Sequence, residues 1–496
     1  MRSDIPSDIW RYIASFLPVA FVLTLYSVNR TFLEIATETR YRSIEFVAYE
    51  TAKPLVKHVK DSTLVHSVRI QPWAVMPKAP KASSSWSSST WKLLHACVSP
   101  AYAFDEDVEA QVLRRLGKQT QRIANAIRGL PNLHTYHIDW DEGPYQKEFF
   151  IPLLNVIPAI GKSLRTLCLK VPLQYMPGLP ALARGLPNLE SLVLTIHTAS
   201  FVPLEISRKI EGLEVFINTL LRDLRSLSIH TTPTSTYLDL GPFFSHLGNG
   251  RHLTSFTLYI PFDGGHLANP APLREFLFKH RLTLESITLG TTRAAARPTA
   301  GVSAAKFWIR DTLKNHPPFP ELSQLSLSLR PLRTDLAPLV RWLTGMRAQL
   351  RVLRLTERVL EYAELARMLD ALDQAPLLRV LTLRVRWLSP EVIDLLAERL
   401  PFLSSLTLNF TEVVHQEPES DASSARSEDS YELSRESELT LFCQALAGKR
   451  YSHWNLTRLA VPESPRGQMS WLDALERGFV GCIPTLTGFE ELVSAL

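Results

Sequence analysis

The sequence predicts an α/β chain, with three short helices at the N-terminus followed by a solenoid of parallel strands alternating with helices. Three observations predict it. An apolar signature (apolar, two others, apolar, one other, apolar) recurs along most of the 496 residues. The segments between its copies carry helix start and stop signals. The first 45 residues lack the signature and read instead as helices broken at Pro18.

The signature first occurs as Val65, Val68, Ile70. It continues as Leu133, Tyr136, Ile138; Leu164, Leu167, Leu169; Leu189, Leu192, Leu194; and Leu224, Leu227, Ile229. The middle copies are Leu253, Phe256, Leu258; Leu284, Ile287, Leu289; Leu322, Leu325, Leu327; and Leu350, Leu353, Leu355. The last are Leu378, Leu381, Leu383; Leu403, Leu406, Leu408; and, after a gap, Leu456, Leu459, Val461. Nine steps over 270 residues separate Leu133 from Leu403, a mean of 30, with single steps of 25 to 38. Alternation at the second and third apolar positions marks a short strand with one buried face.

The unit after Leu378 shows the intervening helix most clearly. A strand over Leu381–Val385 ends near Trp387. Ser389 is placed to cap a helix, Pro390 fits its first turn, and Val392, Leu395, Leu396 and Leu400 share one face. Pro401 stops it before the next strand near Leu403. Strand, helix, strand at this length implies parallel strands with right-handed crossovers. One unit cannot bury its apolar face alone, so stacking of units is required. Over roughly 60–460 this pattern resembles the leucine-rich repeat family, although the Asn or Cys usual after the strand is mostly absent and the period is long.

Ser7 is placed to cap a first helix with Ile9, Ile13 and Phe16 or Leu17 on one face, ended by Pro18. A second carries Leu23, Leu25 and Val28, and a third Phe32 and Ile35. So small a unit cannot hide this much apolar surface by itself. Ile5-Pro6, Asp8-Ile9-Trp10, Ile13, Phe16-Leu17-Pro18, Leu23, Leu25, Val28-Asn29-Arg30 and Phe32 together resemble the F-box. That resemblance implies docking on the Skp-type adaptor of a cullin–RING (SCF-type) ubiquitin ligase, with the repeats holding a protein substrate. The implied adaptor-binding residues are Ile5, Pro6, Ile9, Trp10, Ile13, Phe16, Leu17, Leu23, Leu25, Val28 and Phe32. The same residues can equally form a trihelical core, and spacing alone does not divide the two roles. Two other readings stay open: a repeat scaffold with no ubiquitin role, and an enzyme whose site is assembled from distant residues.

The domain layout expected is an F-box over 1–45, a repeat solenoid over 46–410 and an acidic, Ser-rich disordered insertion over 411–440. A last repeat and C-terminal cap then cover 441–496. Pro77–Thr90 reads as a flexible Ser-rich insertion. Between Lys279 and Arg358, 14 Lys and Arg face 5 Asp and Glu. Arg351, Arg354 and Arg358 cluster there and are the candidate residues for an acidic or phosphorylated substrate segment.

Composition bounds the rest. The balance of 54 basic against 49 acidic residues is +5, too small to imply nucleic acid or an anionic membrane as partner. Four cysteines suit a reducing compartment better than a disulfide framework. The apolar stretch Phe16–Val28 is too short to span a bilayer and contains Pro18. A cytoplasmic or nuclear protein is expected. Gly161-Lys162-Ser163 ends like a phosphate loop, but Val156 stands where that motif needs Gly. Gly248 and Gly250 lack the third glycine of a dinucleotide fingerprint. No metal or cofactor site and no enzymatic activity are expected.

Overall fold

A computed structural model of the protein describes residues 5–46, 63–71, 106–139, 147–198, 203–232, 235, 238–262, 265–292, 307–314, 317, 319–332, 335–416, 428–462 and 469–492. The chain forms two compact units, Met1–Tyr237 and Leu238–Leu496.

The first unit opens with helices α1 (Ser7–Ser15), α2 (Val19–Thr24) and α3 (Arg30–Arg42), with a 3-10 turn at Leu25–Ser27. Six strands follow: β1 (Ser43–Phe46), β2 (Ser67–Ile70), β3 (Thr135–Ile138), β4 (Thr166–Pro172), β5 (Ser191–His197) and β6 (Ser226–Thr231). Each lies parallel to the next, in chain order. Helices α4 (Glu106–Arg128), α5 (Lys147–Leu154), α6 (Ile157–Ile160), α7 (Leu179–Ala183) and α8 (Pro203–Leu220) fall between strands.

In the second unit, α9 (Gly241–His246) precedes eight strands: β7 (Ser255–Pro261), β8 (Ser286–Thr292), β9 (Gln324–Ser328), β10 (Val352–Thr356), β11 (Val380–Leu388), β12 (Ser405–Val413), β13 (Arg458–Pro462) and β14 (Gly488–Leu492). These too are parallel neighbours in chain order. The helices between them are α10 (Ala271–Lys279), α11 (Trp308–Leu313), α12 (Ala337–Met346), α13 (Tyr362–Ala371), α14 (Pro390–Arg399), α15 (Glu428–Ala447) and α16 (Met469–Cys482). Both units are therefore solenoid-like repeats of strand and helix, and the twelve signature copies supply β2 to β13.

The stacking follows from the signature. Equivalent positions face one another across the ladder, as in Leu325, Leu353, Leu381, Leu406 and Leu459 on β9 to β13. All of these are at most 1% exposed, so a one-residue slip would expose a whole column. Tyr136 replaces leucine in one copy and remains buried because its hydroxyl donates to the Leu153 carbonyl at 3.1 Å. Burial raises the pKa of that phenol.

A second device ties the repeats together just before each strand. The Ser323 carbonyl accepts the N–H groups of both Arg351 and Val352, at 2.8 and 3.0 Å. The Arg351 carbonyl does the same for Arg379 and Val380, and the Arg379 carbonyl for Ser404 and Ser405. In the first unit His134, Arg165 and Glu190 play this part. A backbone stitch thus satisfies these groups.

Several expectations are corrected. The boundary expected at 45/46 falls inside β1, which starts at Ser43 with no linker after α3 and buries Ile44 and Phe46. The residues expected as the C-terminal cap form α16 and β14, and the exposed Glu490 and Glu491 give β14 a charged character. The edges of the segment expected to be disordered are structured. Glu412 and Val413 end β12, and Glu428–Ala447 is helical with Leu439 and Phe442 buried, because Leu and Glu favour helix and the apolar residues find a core. Pro77–Thr90 lies outside the described residues. Ser389 stands at the N-cap of α14 but makes no capping bond; its buried hydroxyl has no hydrogen-bond partner. Ser7 is the first helical residue of α1, with Pro6 at the N-cap.

Candidate protein-docking surface on the N-terminal helices

The three N-terminal helices are positioned by few interactions. The Pro6 carbonyl accepts from Ile9 N at 3.1 Å, and the Pro18 carbonyl from Phe21 N and Val22 N at 2.9 and 3.0 Å. Proline suits these entry positions because its missing N–H would have no intrahelical partner. Asn29 caps α3 by accepting from Phe32 N at 2.8 Å. Arg11 on α1 makes a two-pronged pair with Glu38 on α3, at 2.8 and 2.9 Å. The hydrogen bond from Arg11 lowers the pKa of Glu38 despite the opposing effect of burial.

The core beneath is small. Ala14, Val22 and Phe32 are buried, with Trp10, Leu17, Leu25 and Ile35 packed against them. The Trp10 and Phe32 rings meet at 5.4 Å between centroids. Trp10 and Ala14 on α1, with Leu17 just after it, form the inward stripe.

A second apolar stripe on α1 faces away from this core. Ile9, Tyr12, Ile13 and Phe16 also follow helical spacing, and all are exposed, Ile9 by 45% and Phe16 by 69%. Tyr12 and Phe16 meet edge to face at 4.8 Å. Ile5 and Pro6 ahead of the stripe are exposed, as are Leu23 and Val28 beyond it. The expected adaptor-binding residues therefore divide in two. Phe32 belongs to the core, and Trp10, Leu17 and Leu25 are half-buried against it. Ile5, Pro6, Ile9, Ile13, Phe16, Leu23 and Val28 are exposed.

Sequence reasoning missed five more exposed apolar residues: Tyr12, Val19, Phe21, Tyr26 and Leu33. For Tyr12 the signal was present, since it lies three residues from Ile9 and four from Phe16. Exposed apolar residues are thus dense on these three short helices.

The arginines of the second unit are not brought together. Arg351 is exposed ahead of β10, and Arg354 is exposed in mid-strand. Arg358 is half-buried and forms an ion pair with Glu364 in the first turn of α13, so its charge serves the fold. Between them Glu357 adopts a left-handed conformation, φ 67°, and accepts a hydrogen bond from the Thr291 hydroxyl. No group of three or more metal-ligating side chains stands together among the described residues. Gly161 serves packing: a Cβ there would fall 1.8 Å from the Gly185 carbonyl oxygen. No helix among the described residues is long and apolar enough to cross a membrane. No family model matches the chain, and no curated protein is similar to it.

Proposed function

We propose that the protein is a substrate-recognition adaptor of an SCF-type ubiquitin ligase, with the N-terminal helices docking a Skp-type adaptor and the repeats holding a protein substrate. The observation that carries this reading is the exposed stripe Ile9, Tyr12, Ile13 and, at the C-cap, Phe16, beside the stripe that packs on the core. Covering such a stripe with a partner's groove removes apolar surface from water, and helix-in-groove docking is the matching mode. The F-box resemblance names the partner, and the strand–helix repeats supply a long array of exposed strand positions for a second protein. Capture of the full chain by a purified Skp-type adaptor, lost in the Ile9→Asp, Phe16→Asp double variant, tests it. Failure of the folded wild type to be captured would leave a repeat scaffold as the better account.

A further inference from the structure

The exposed face of the second unit's sheet carries two neighbouring cations, Arg354 and Arg384, that pair with no described residue. Arg354 on β10 stands beside Thr382 on β11, and Arg384 lies two residues further along β11, beside Asn409 on β12. Side chains alternate across a strand, so Arg354, Thr382 and Arg384 share one face, while Leu353, Leu355, Leu381 and Leu383 fill the other. Both arginines are exposed, and neither forms an ion pair with a described residue.

Their neighbours differ. Arg358 is paired with Glu364, and Arg386 with Glu361 at 3.0 Å while its guanidinium lies over the Trp387 ring. In the first unit the cations of the same sheet face are also matched. Arg69 Nη2 is 2.8 Å and Lys170 Nζ 3.7 Å from the Asp139 carboxylate. Arg354 and Arg384 thus lie on adjacent strands with no ion pair to a described residue, and Arg458 on β13, two strands further, likewise has none.

We infer that Arg354 and Arg384 form a docking site for an extended acidic peptide of a protein partner, one carboxylate to each guanidinium. The spacing fits. Strands about 4.8 Å apart and two residues of about 3.3 Å rise place the two Cα atoms roughly 8 Å from each other. An extended peptide presents same-side side chains about 6.6–7 Å apart, so acidic residues at alternate positions reach both guanidinium groups. Guanidinium favours two-pronged hydrogen bonding to carboxylate. Thr356, Thr382 and Asn409 flank the pair on the same face and can bond the peptide backbone. Nucleic acid fits less well, since it needs a longer run of cations than two. This deepens the proposed adaptor role by giving the class of substrate, and its test uses no adaptor, so either can fail alone.

The test is fluorescence anisotropy of the full chain with a labelled peptide carrying Asp at alternate positions. Its Asn counterpart, a phosphoserine counterpart and a single-stranded DNA serve as comparisons. Saturable binding of the Asp peptide, weakened by salt and absent for the Asn peptide, is expected. The Arg354→Ala, Arg384→Ala double variant should bind at least tenfold more weakly, and Arg222→Ala in the first unit should bind as the wild type does. Circular dichroism and thermal midpoint identical to the wild type's would show that the double variant is folded. Absence of Asp-peptide binding, or equal binding by the folded double variant, would overturn the inference. So would binding of the phosphoserine peptide alone, or tighter binding of the DNA that depends on the same two arginines.

Discussion

Trp10 and Phe32 meet inside the N-terminal helices with their rings 5.4 Å apart, while Ile9, adjacent to Trp10 in sequence, points to solvent. Two neighbours on one helix thus have opposite roles. Phe32→Ala opens the aromatic pair of this small core and should destabilise the helices by about 3–5 kcal/mol. Ile9→Asp should change stability by no more than about 0.5 kcal/mol. Hydrogen exchange of the α3 amides reads both, because it reports this region separately from the strands.

The leucine columns make a second prediction. Leu381 is fully buried between Leu353 and Leu406. Leu381→Ala should cost roughly 2–5 kcal/mol, through lost burial and the cavity left behind. Denaturant unfolding followed by circular dichroism would show the transition of the second unit shifted to lower denaturant.

Stability should also depend on pH through His280. Its Nε2 accepts from Gly250 N–H at 2.8 Å, so the ring is neutral and Nδ1–H donates to the Phe276 carbonyl at 2.8 Å. Burial lowers its pKa from 6.5. A lowered folded pKa means that the unfolded chain binds the proton more tightly. The stabilising contribution is complete above pH 6.5 and is lost as pH falls through the folded value. Burial lowers the pKa of His137 and His230 in the same direction. Thermal midpoints should therefore fall between pH 7 and 5, and His280→Gln should reduce that slope.

Gly161 offers a steric test of how the repeats pack. Its backbone angles are ordinary, so the demand for glycine comes from the Gly185 carbonyl lying where a Cβ would go. Gly161→Ala should destabilise the first unit by about 1–3 kcal/mol, as overpacking does. A thermal midpoint unchanged from the wild type's would show that the close approach is absent in solution.

Much of the fold was legible because one signature encodes both strand and register: Leu at equivalent positions marks β2 to β13 and also aligns them. β14 escaped because it lacks the full pattern, with Phe489 beside Glu490 and Glu491. The docking surface was half legible. Nearly every position of the N-terminal helices is apolar or aromatic on one side, so spacing marks the stripes without saying which turns inward. By spacing the Ile9, Ile13, Phe16 stripe fits either core or contact surface and it is exposed, whereas Trp10, Ala14 and Leu17 do the packing. The loss of Arg358 from the basic cluster depends on Glu364, which only the turn between β10 and α13 brings to it.

The division of the N-terminal helices into core and docking surface is tested most directly by titrating a purified Skp-type adaptor into the full chain and measuring affinity by calorimetry. Phe16→Ala and Ile9→Asp should each weaken binding tenfold or more while α3 keeps its wild-type exchange protection, as expected of exposed contact residues. Leu17→Asp should weaken binding only together with loss of that protection. Undiminished affinity in the folded Phe16→Ala, Ile9→Asp double variant, or no binding by the wild type, would contradict the account.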